Sequence, residues 1–545
     1  MEVETGNFIM NKTLNSEIDG IFSRWDKSTS PGFALAVVSH GKVVYKRGYG
    51  MASLEHGVPI STRSVFDIGS TSKQFVAFCV TILEEKGLLS LSDPVQKYIP
   101  EMAGFRWPVT VGHLIHHTSG IRDYLTLMEL AGMRFENEYP DKEILGLITK
   151  QKALNFKPGE EFLYSNSGYL LLGEIIKRIS GKPLREFAER NIFHPLGMRS
   201  THFHDDFKRV VPHKAAGYSL GADGVKVDIS IFDVVGDGGV NTTVEDLALW
   251  DNNFYKNRLV GGDRVMERMT TPGRFNSGKQ QDYARGLFLG EYRGERTVCH
   301  GGAWIGYRSE IFRVPERSFS VICLANFSEA SPTLICKQVA DIYLKKVLSG
   351  APTLTQAGEK KRGGRKFRVS ASLAGFYEDR KTGDILEIVV DNGEVVLKEN
   401  GSDYPLVVAG ADWFFIPESS CEVKFRRGKD GTCSGIVKSH PTQKSFHDRI
   451  VIRRPSRGSL KSLEGDYYSS ELGVVYTIQC GPNGLVLSRE WAEKEGLRHV
   501  KGLLFKGDYS SFRFVNGRNG SCNGFMLGAG RVQDLFFRRQ KRGRN

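Results

Sequence analysis

No apolar run in this chain approaches the roughly 20 residues that a helix needs to cross a bilayer. The opening stretch, MEVETGNFIMNKTLNSEIDG, lacks the basic flank, apolar core and small-residue cleavage site of a secretory leader, so a cytoplasmic location is expected, a trimmed leader aside. Cysteine is sparse, with eight residues in 545 and none in C-x-x-C spacing, which argues against a disulfide framework and against a cysteine-built zinc site. Acidic excess is also missing: 75 Lys and Arg face 62 Asp and Glu, for a net charge of +13. That excess is uneven, with 33 basic and 22 acidic residues over 351–545 against 42 and 40 before them. Two runs, EKKRGGRKFR (359–368) and RRQKRGRN (538–545), carry much of it. Neither is interleaved with stacking aromatics or set on an amphipathic helix, so they read as a solvated linker and tail, and neither nucleic acid nor a membrane is expected as a partner.

What the chain does have is length enough for two to four domains. Residues 12–347 alternate strand-like and helix-like segments. FALAVVSHGKVVYKRGYG (33–50) reads as a hairpin about a His-Gly turn. Phe75, Val76, Cys79, Ile82 and Leu83 recur at spacings of three and four, which predicts a helix over 72–86 stopped by Gly87. Further helices are expected over Lys142–Lys150, Gly168–Ile179 and Pro332–Val347, and strands over Arg296–His300 and Arg308–Ala325. Residues 348–372, rich in Gly, Lys and Arg, break this pattern as a linker. Beyond it, short alternating strands separated by Gly, Asn and Asp predict antiparallel barrels. LAGFY (373–377) answers to LEGDY (463–467), and CSG…DRIVIRR (433–454) to CNG…DLFFRR (522–539), an offset near 90 residues. Two related small β-barrel domains, 373–455 and 460–540, are therefore expected.

The chemistry begins at DIGSTSKQFV (67–76), where Ser70 stands three residues before Lys73 at the predicted helix start. Positions i and i+3 share a helix face, so hydroxyl and amine come within reach. The helix N-terminus adds a positive dipole and backbone N–H groups beside the serine. A serine hydroxyl needs a base to become a nucleophile, and a buried lysine can serve. Alone, S-x-x-K is a weak signal. Two further stretches strengthen it. FLYSNSGYLLLG (162–173) sets Tyr164 and Asn166 two apart before a helix, where alternating positions can face one cleft. TVCHGGAWIGYRS (297–309) ends a strand at His300-Gly301-Gly302, whose glycines admit close approach of a substrate to the backbone.

Ser70-x-x-Lys73, Tyr164-x-Asn166 and His300-x-Gly302, in this order and at these separations, resemble the three motifs of the penicillin-recognising serine hydrolases, which include class C β-lactamases, DD-carboxypeptidases, D-aminopeptidases and related esterases. TVGHLIHHTSGI (110–121), FKPGEEFLYSNSGYLLLGEII (156–176) and GDGGVNTTVEDLALW (236–250) also look like that family's framework, extending the resemblance over roughly 15–347. It implies an α/β catalytic domain, an antiparallel sheet flanked by helices with a helical region, followed by the two barrels. It implies that Ser70 is acylated, that Lys73 and Tyr164 share proton transfer in an order left open, and that Asn166 orients the substrate amide and Lys73. The N–H groups of Ser70 and Ala303, the residue after His300-Gly301-Gly302, would form the oxyanion hole. No metal or cofactor is called for, the substrate is a small peptide or amide, and a homodimer stays open.

His300 replaces the lysine that many relatives carry. With an ordinary imidazole near 6.5 it is mostly neutral at pH 7, so dependence on a substrate carboxylate should weaken. A family catalytic domain followed by two barrels looks like the D-aminopeptidases, with DD-carboxypeptidase, β-lactamase and carboxylesterase as alternatives. Outside enzymology the alternative is a scaffold, or a ligand-binding protein with an apolar ligand in its barrels. A loop of the second barrel within 502–530 is expected to shape the cleft, and a fragment ending near Gly350 is expected to fold alone. His113 and His117 have i, i+4 spacing but no H-E-x-x-H pattern, and the framework resemblance accounts for them without a metal. Cys299 should point away from His300, since adjacent strand residues face opposite sides. Trp304 and Tyr307 fit either a cleft wall or the core.

Overall fold

The computed structural model describes residues 13–349, 369–380, 384–399, 402–416, 421–440, 443–452, 455–482, 484–518 and 520–541. Most of the expected linker (350–368) and residues 542–545 of the basic tail lie outside the described residues. The chain divides into two compact units: one takes the residues up to 121, 134–149 and 156 to the linker, and the other takes 122–133, 150–155 and everything after the linker.

The first unit is built on six strands and five principal helices. After helix α1 (residues 13–22) come β1 (Phe33–Ser39), β2 (Lys42–Tyr49), α2 (Lys73–Glu85), α3 (Asn166–Ser180) and α4 (Val244–Tyr255). Then follow β3 (Phe288–Tyr292), β4 (Glu295–Trp304), β5 (Tyr307–Val314), β6 (Phe319–Ala325) and α5 (Pro332–Tyr343). The sheet order is β3-β4-β5-β6-β1-β2 with every neighbour antiparallel, so the N-terminal hairpin completes a sheet whose other strands come 250 residues later. β1, FALAVVS, is buried over Phe33–Val38, the pattern of a strand covered on both faces. On one face α1 and α5 bring Phe22, Ile335 and Val339 against Leu35, Phe312 and Val321. The other face receives α4, and a fully buried ion pair, Arg313 to Asp251 at 2.7 Å, ties β5 to it. The expected strand Arg308–Ala325 is in fact two. Pro315 opens a short 3₁₀ turn and Ser318 closes it in the left-handed region (φ 46°), which folds the chain into a hairpin.

The second unit holds two closed eight-stranded antiparallel barrels, spanning Gly375–Arg449 and Gly465–Arg539. First and last strands pair in each, Tyr377 with Arg449 and Tyr467 with Arg539, which removes the exposed sheet edge. The sequence repeat is reproduced group by group. Tyr377 donates to the Leu373 carbonyl and Tyr467 to the Leu463 carbonyl, each at 2.6 Å. Each hydroxyl also meets a buried thiol, Cys433 at 3.2 Å and Cys522 at 3.4 Å. Arg449 donates to the carbonyls of Ser372 and Ala374, and Arg539 to the equivalent carbonyls of Ser462 and Glu464. The interior of the first barrel is filled by Leu386, Ile388, Leu397, Phe414, Val423, Ile436 and their neighbours, a packed core.

Residues 122–133 and 150–155 belong with the second barrel. Arg122, 1% exposed, donates to the Glu471 carboxylate at 2.8 Å, the Gln151 amide oxygen at 2.9 Å, and the carbonyls of Gln533 (3.1 Å) and Asp534 (2.8 Å). Asn155 bridges the same strand, donating to the Arg531 carbonyl and accepting from the Gln533 N–H. The short helix Tyr124–Leu130, capped by Asp123, ends where the Leu130 carbonyl accepts from the Tyr476 hydroxyl at 2.8 Å.

Candidate functional site

The nucleophile turn is fixed residue by residue. Phe66–Asp67 pairs with Val240–Thr242, and the Ile68 N–H donates to the Val240 carbonyl at 3.0 Å. Asp67 accepts from the Gly69 N–H at 2.8 Å, and the Ser72 hydroxyl accepts from the Val240 N–H at 3.0 Å. Residues Gly69–Ser72 form one 3₁₀ turn that runs straight into α2, so Ser70 sits half-buried at a helix start as the spacing predicts. Two glycines let β4 lie against this turn. A Cβ at Gly69, whose φ is +48°, would fall 2.8 Å from the Ala303 nitrogen, and one at Gly302 would fall 1.9 Å from the Ile68 carbonyl oxygen. The backbone of Ala303, itself exposed, is thereby brought against the Ser70 turn.

Lys73, fully buried on the first turn of α2, donates to three oxygens: Ser70 Oγ at 2.9 Å, Asn166 Oδ1 at 2.9 Å and the Asp237 carbonyl at 2.6 Å. Its Nζ lies 4.8 Å from the Tyr164 ring centroid and 5.6 Å from that of Tyr169. Asn166 opens α3, and Tyr164 precedes it in non-helical backbone, which is how a two-residue spacing aims both side chains at one lysine. Tyr164 stacks on His117 with centroids 4.2 Å apart. His117 Nδ1 accepts from the Ser165 N–H at 3.1 Å, so this histidine holds the Tyr164–Asn166 segment from behind. Of the predicted residues, Ser70, Lys73, Tyr164 and Asn166 meet around the lysine amine, and Gly302 and Ala303 meet the turn through their backbone, while the Gly301 carbonyl lies against His300 Nδ1 and a Cβ at Gly301 would face Glu310.

His300 is 2% exposed. Its Nδ1 lies 2.6 Å from the Gly301 carbonyl, which only accepts, so Nδ1 carries the proton; Nε2 then accepts from the Tyr283 hydroxyl at 3.1 Å. Burial, followed by the positive charge of Lys73, pushes the imidazole down to about 3, so it is neutral across the working range. Cys299 points to the opposite face, where burial raises its thiol. His113 and His117 do not share a helix. Helix Val111–Ile115 ends at His116, His117 is left-handed (φ 56°), and His113 caps the helix start with Thr110. Tyr307 is core, donating to the Ala215 carbonyl at 2.6 Å, whereas Trp304 stays half-buried.

Two contributors escape a reading of side chains alone. The Asp237 carbonyl belongs to the turn Gly236-Asp237-Gly238-Gly239, where φ is 132° at Gly236 and 85° at Gly239; the glycine run and the framework resemblance of 236–250 mark the turn in the sequence, but neither marks the carbonyl as a partner of Lys73. Tyr283, which orients His300, has no motif.

Residues 21–337 match the protein family described as Beta-lactamase. The penicillin-binding protein 4* of Bacillus subtilis (strain 168) is 27% identical over 418 residues, covering 73% of this chain and 90% of that protein. A D-aminopeptidase of Gluconobacter oxydans (strain 621H) is 28% identical over 355 residues; the match covers 65% of this chain and 64% of that protein, slightly under two thirds of its length. Among solved structures, the octameric penicillin-binding protein homologue from Pyrococcus abyssi aligns with a TM-score of 0.56 at 26% identity, covering 80% of this chain and 99% of that one.

Proposed function

The chain belongs to the β-lactamase family, a serine hydrolase by that membership, and from this premise we propose that it releases N-terminal D-amino acids from small peptides or amides through an acyl-enzyme. The observation that carries the reading is the hydrogen bond of Lys73 Nζ to Ser70 Oγ at 2.9 Å, with Asn166 and the Asp237 carbonyl fixing the same nitrogen. In acylation the Ser70 oxygen bonds to the substrate carbonyl carbon, and its proton passes into the Lys73–Tyr164 pair. The carbon–nitrogen bond then breaks as that proton reaches the departing amine. Water repeats the sequence to release the acid. Backbone N–H groups of Ser70 and Ala303 receive the negative charge that develops on the carbonyl oxygen, and each such donor is typically worth about 3 kcal/mol.

The neutral, enclosed His300 supports an aminopeptidase or amidase over a carboxypeptidase, since the third motif offers no fixed cation to a substrate carboxylate. The likeness to D-aminopeptidases supports the same choice. Parallel assays of D-alanine p-nitroanilide, L-alanine p-nitroanilide, a D-Ala-D-Ala peptide, nitrocefin and p-nitrophenyl butyrate test it. Turnover of the D-anilide well above its L-isomer, lost in Ser70→Ala together with fluorophosphonate labelling, is expected. Preference for the D-Ala-D-Ala peptide or nitrocefin would replace the D-aminopeptidase reading, and labelling that survives in Ser70→Ala would remove the nucleophile.

A further inference from the structure

Side chains alternate along β4, and its pairing with β5 runs without a register shift from Val298 to the Trp304–Tyr307 pair. His300, Gly302 and Trp304 therefore share one face. That face is the one against the nucleophile turn, since a Cβ at Gly302 would collide with the Ile68 carbonyl and Ser309, opposite Gly302, donates to the same carbonyl at 2.7 Å. One strand repeat, roughly 7 Å, separates Gly302 from His300 on one side and from Trp304 on the other. The two side chains flank the bare glycine and the Ser70 turn.

The two flanks differ. His300 is sealed, bonded to Tyr283 and packed near Phe288 and Tyr164. Trp304 is half-buried and meets two further half-buried rings, Phe135 at 5.4 Å and Phe232 at 6.0 Å, which themselves lie 5.9 Å apart. Tyr139 adds its ring 6.4 Å from Phe232. Three separate segments thus send aromatic rings to one spot beside Ala303, and none is buried by the others. Half-covered aromatic surface converging on a cleft is the usual lining of a small-molecule subsite.

We infer that Trp304, Phe135 and Phe232 form the wall that receives the side chain of the acyl residue, giving the enzyme a preference for aromatic or bulky apolar acyl groups over a methyl. This deepens, and rests on, the acyl-enzyme reading above. His300, sealed by Tyr283, closes one side of the bare glycine, so the half-buried Trp304 and its two neighbouring rings are the surface left on this face for the substituent of the acyl group on Ser70. Substituents of this kind discriminate by apolar contact, worth roughly 10- to 200-fold per added group in a fitted pocket.

Esters with a common leaving group isolate the acyl side: p-nitrophenyl acetate and p-nitrophenyl 3-phenylpropionate, compared by kcat/KM in the full chain. The phenylpropionate should be favoured about tenfold after correction for uncatalysed hydrolysis. Trp304→Ala and Phe232→Ala should each erase most of that ratio, and Trp304→Phe should keep most of it. An unchanged ratio in both alanine variants, with circular dichroism showing them folded, overturns the wall. A chain that hydrolyses neither ester and takes no fluorophosphonate at Ser70 instead overturns the hydrolase reading. In that event calorimetric binding of 3-phenylpropionamide still tests the wall: saturable binding lost in Phe232→Ala supports it, and no binding refutes it.

Discussion

Lys73 in the first unit and Arg122 in the second are both sealed from water, and they are held by different means. The lysine amine is met by a hydroxyl, an amide oxygen and a backbone carbonyl, with two tyrosine rings alongside. The Arg122 guanidinium is met by the Glu471 carboxylate as well as an amide and two carbonyl oxygens. A lysine can gain and lose a proton and swing its point charge between neighbours; a guanidinium does neither, and its planar fork suits fixed multidentate contacts. The first arrangement fits a relay and the second fits a clamp.

Swapping their chemistry should therefore affect different observables. Lys73→Ala is expected to lower kcat by about 10²–10⁴ while folding is kept, and Lys73→Arg should fare no better, because the charge returns without the exchangeable proton. A near wild-type rate in Lys73→Arg would mean that Lys73 contributes only charge. Arg122→Met should instead cost about 3–5 kcal/mol of stability, by stranding the buried Glu471, with Glu471→Gln restoring part of the loss when combined. Denaturant titration reads this, and an unchanged midpoint refutes the clamp.

Acid tests the relay's surroundings. Burial holds His300 near 3 and His116, His202 and His204 near 4, all below the ordinary 6.5. The unfolded chain thus binds more protons than the folded one between pH 6.5 and 4, so this stability is fully present above 6.5 and lost on acidification. Glu310 acts oppositely. Burial lifts it to about 7, so its contribution is present below about 4.5 and lost as pH rises through 7. The melting temperature should fall from pH 6.5 to 4, more steeply in Glu310→Gln, and a flat profile would contradict these assignments. Since the Lys73 charge is the second cause of the His300 shift, Lys73→Met should move the His300 titration seen by NMR upward.

The smallest effect compares the barrels themselves. Leu386 and Tyr476 occupy equivalent places, opposite Tyr377 and Tyr467 respectively, but only the tyrosine reaches a neighbour outside its barrel, the Leu130 carbonyl. Tyr476→Phe should cost about 0.5–1.5 kcal/mol, again by denaturant titration; no loss would mean that the hydroxyl bond is replaced by water.

Legibility in the sequence followed how local each feature is. The Ser70–Lys73 contact follows from i, i+3 geometry, the barrels from alternation with turn residues, and their kinship from the repeated Tyr377 and Tyr467 segments. The Asp237 carbonyl was hidden because a backbone acceptor leaves no side-chain signature. Trp304 and Tyr307 differ in role through what lies opposite each ring, which periodicity does not encode. The split of Arg308–Ala325 hinged on the short polar stretch Pro315–Ser318 between two strand-like runs, each of which reads as part of one continuous strand by alternation alone. Nothing in residues 122–133 announces that their partners stand near 471 and 534.

That last pairing sets a schedule. Arg122 and Asp534 are 412 residues apart, so a ribosome adding about 5–20 residues per second emits the second some 20–80 s after the first. Until then a strong cation and the helix Tyr124–Leu130 wait without the surface they belong to, within a catalytic sequence that has otherwise been delivered. A fragment ending near Gly350 makes that wait permanent, so its failure to fold would report on the missing clamp and not on the catalytic unit's own core. Over that interval residues 122–133 and 150–155 are the stretch of the emerged chain whose partners, near 471 and 531–534, do not yet exist.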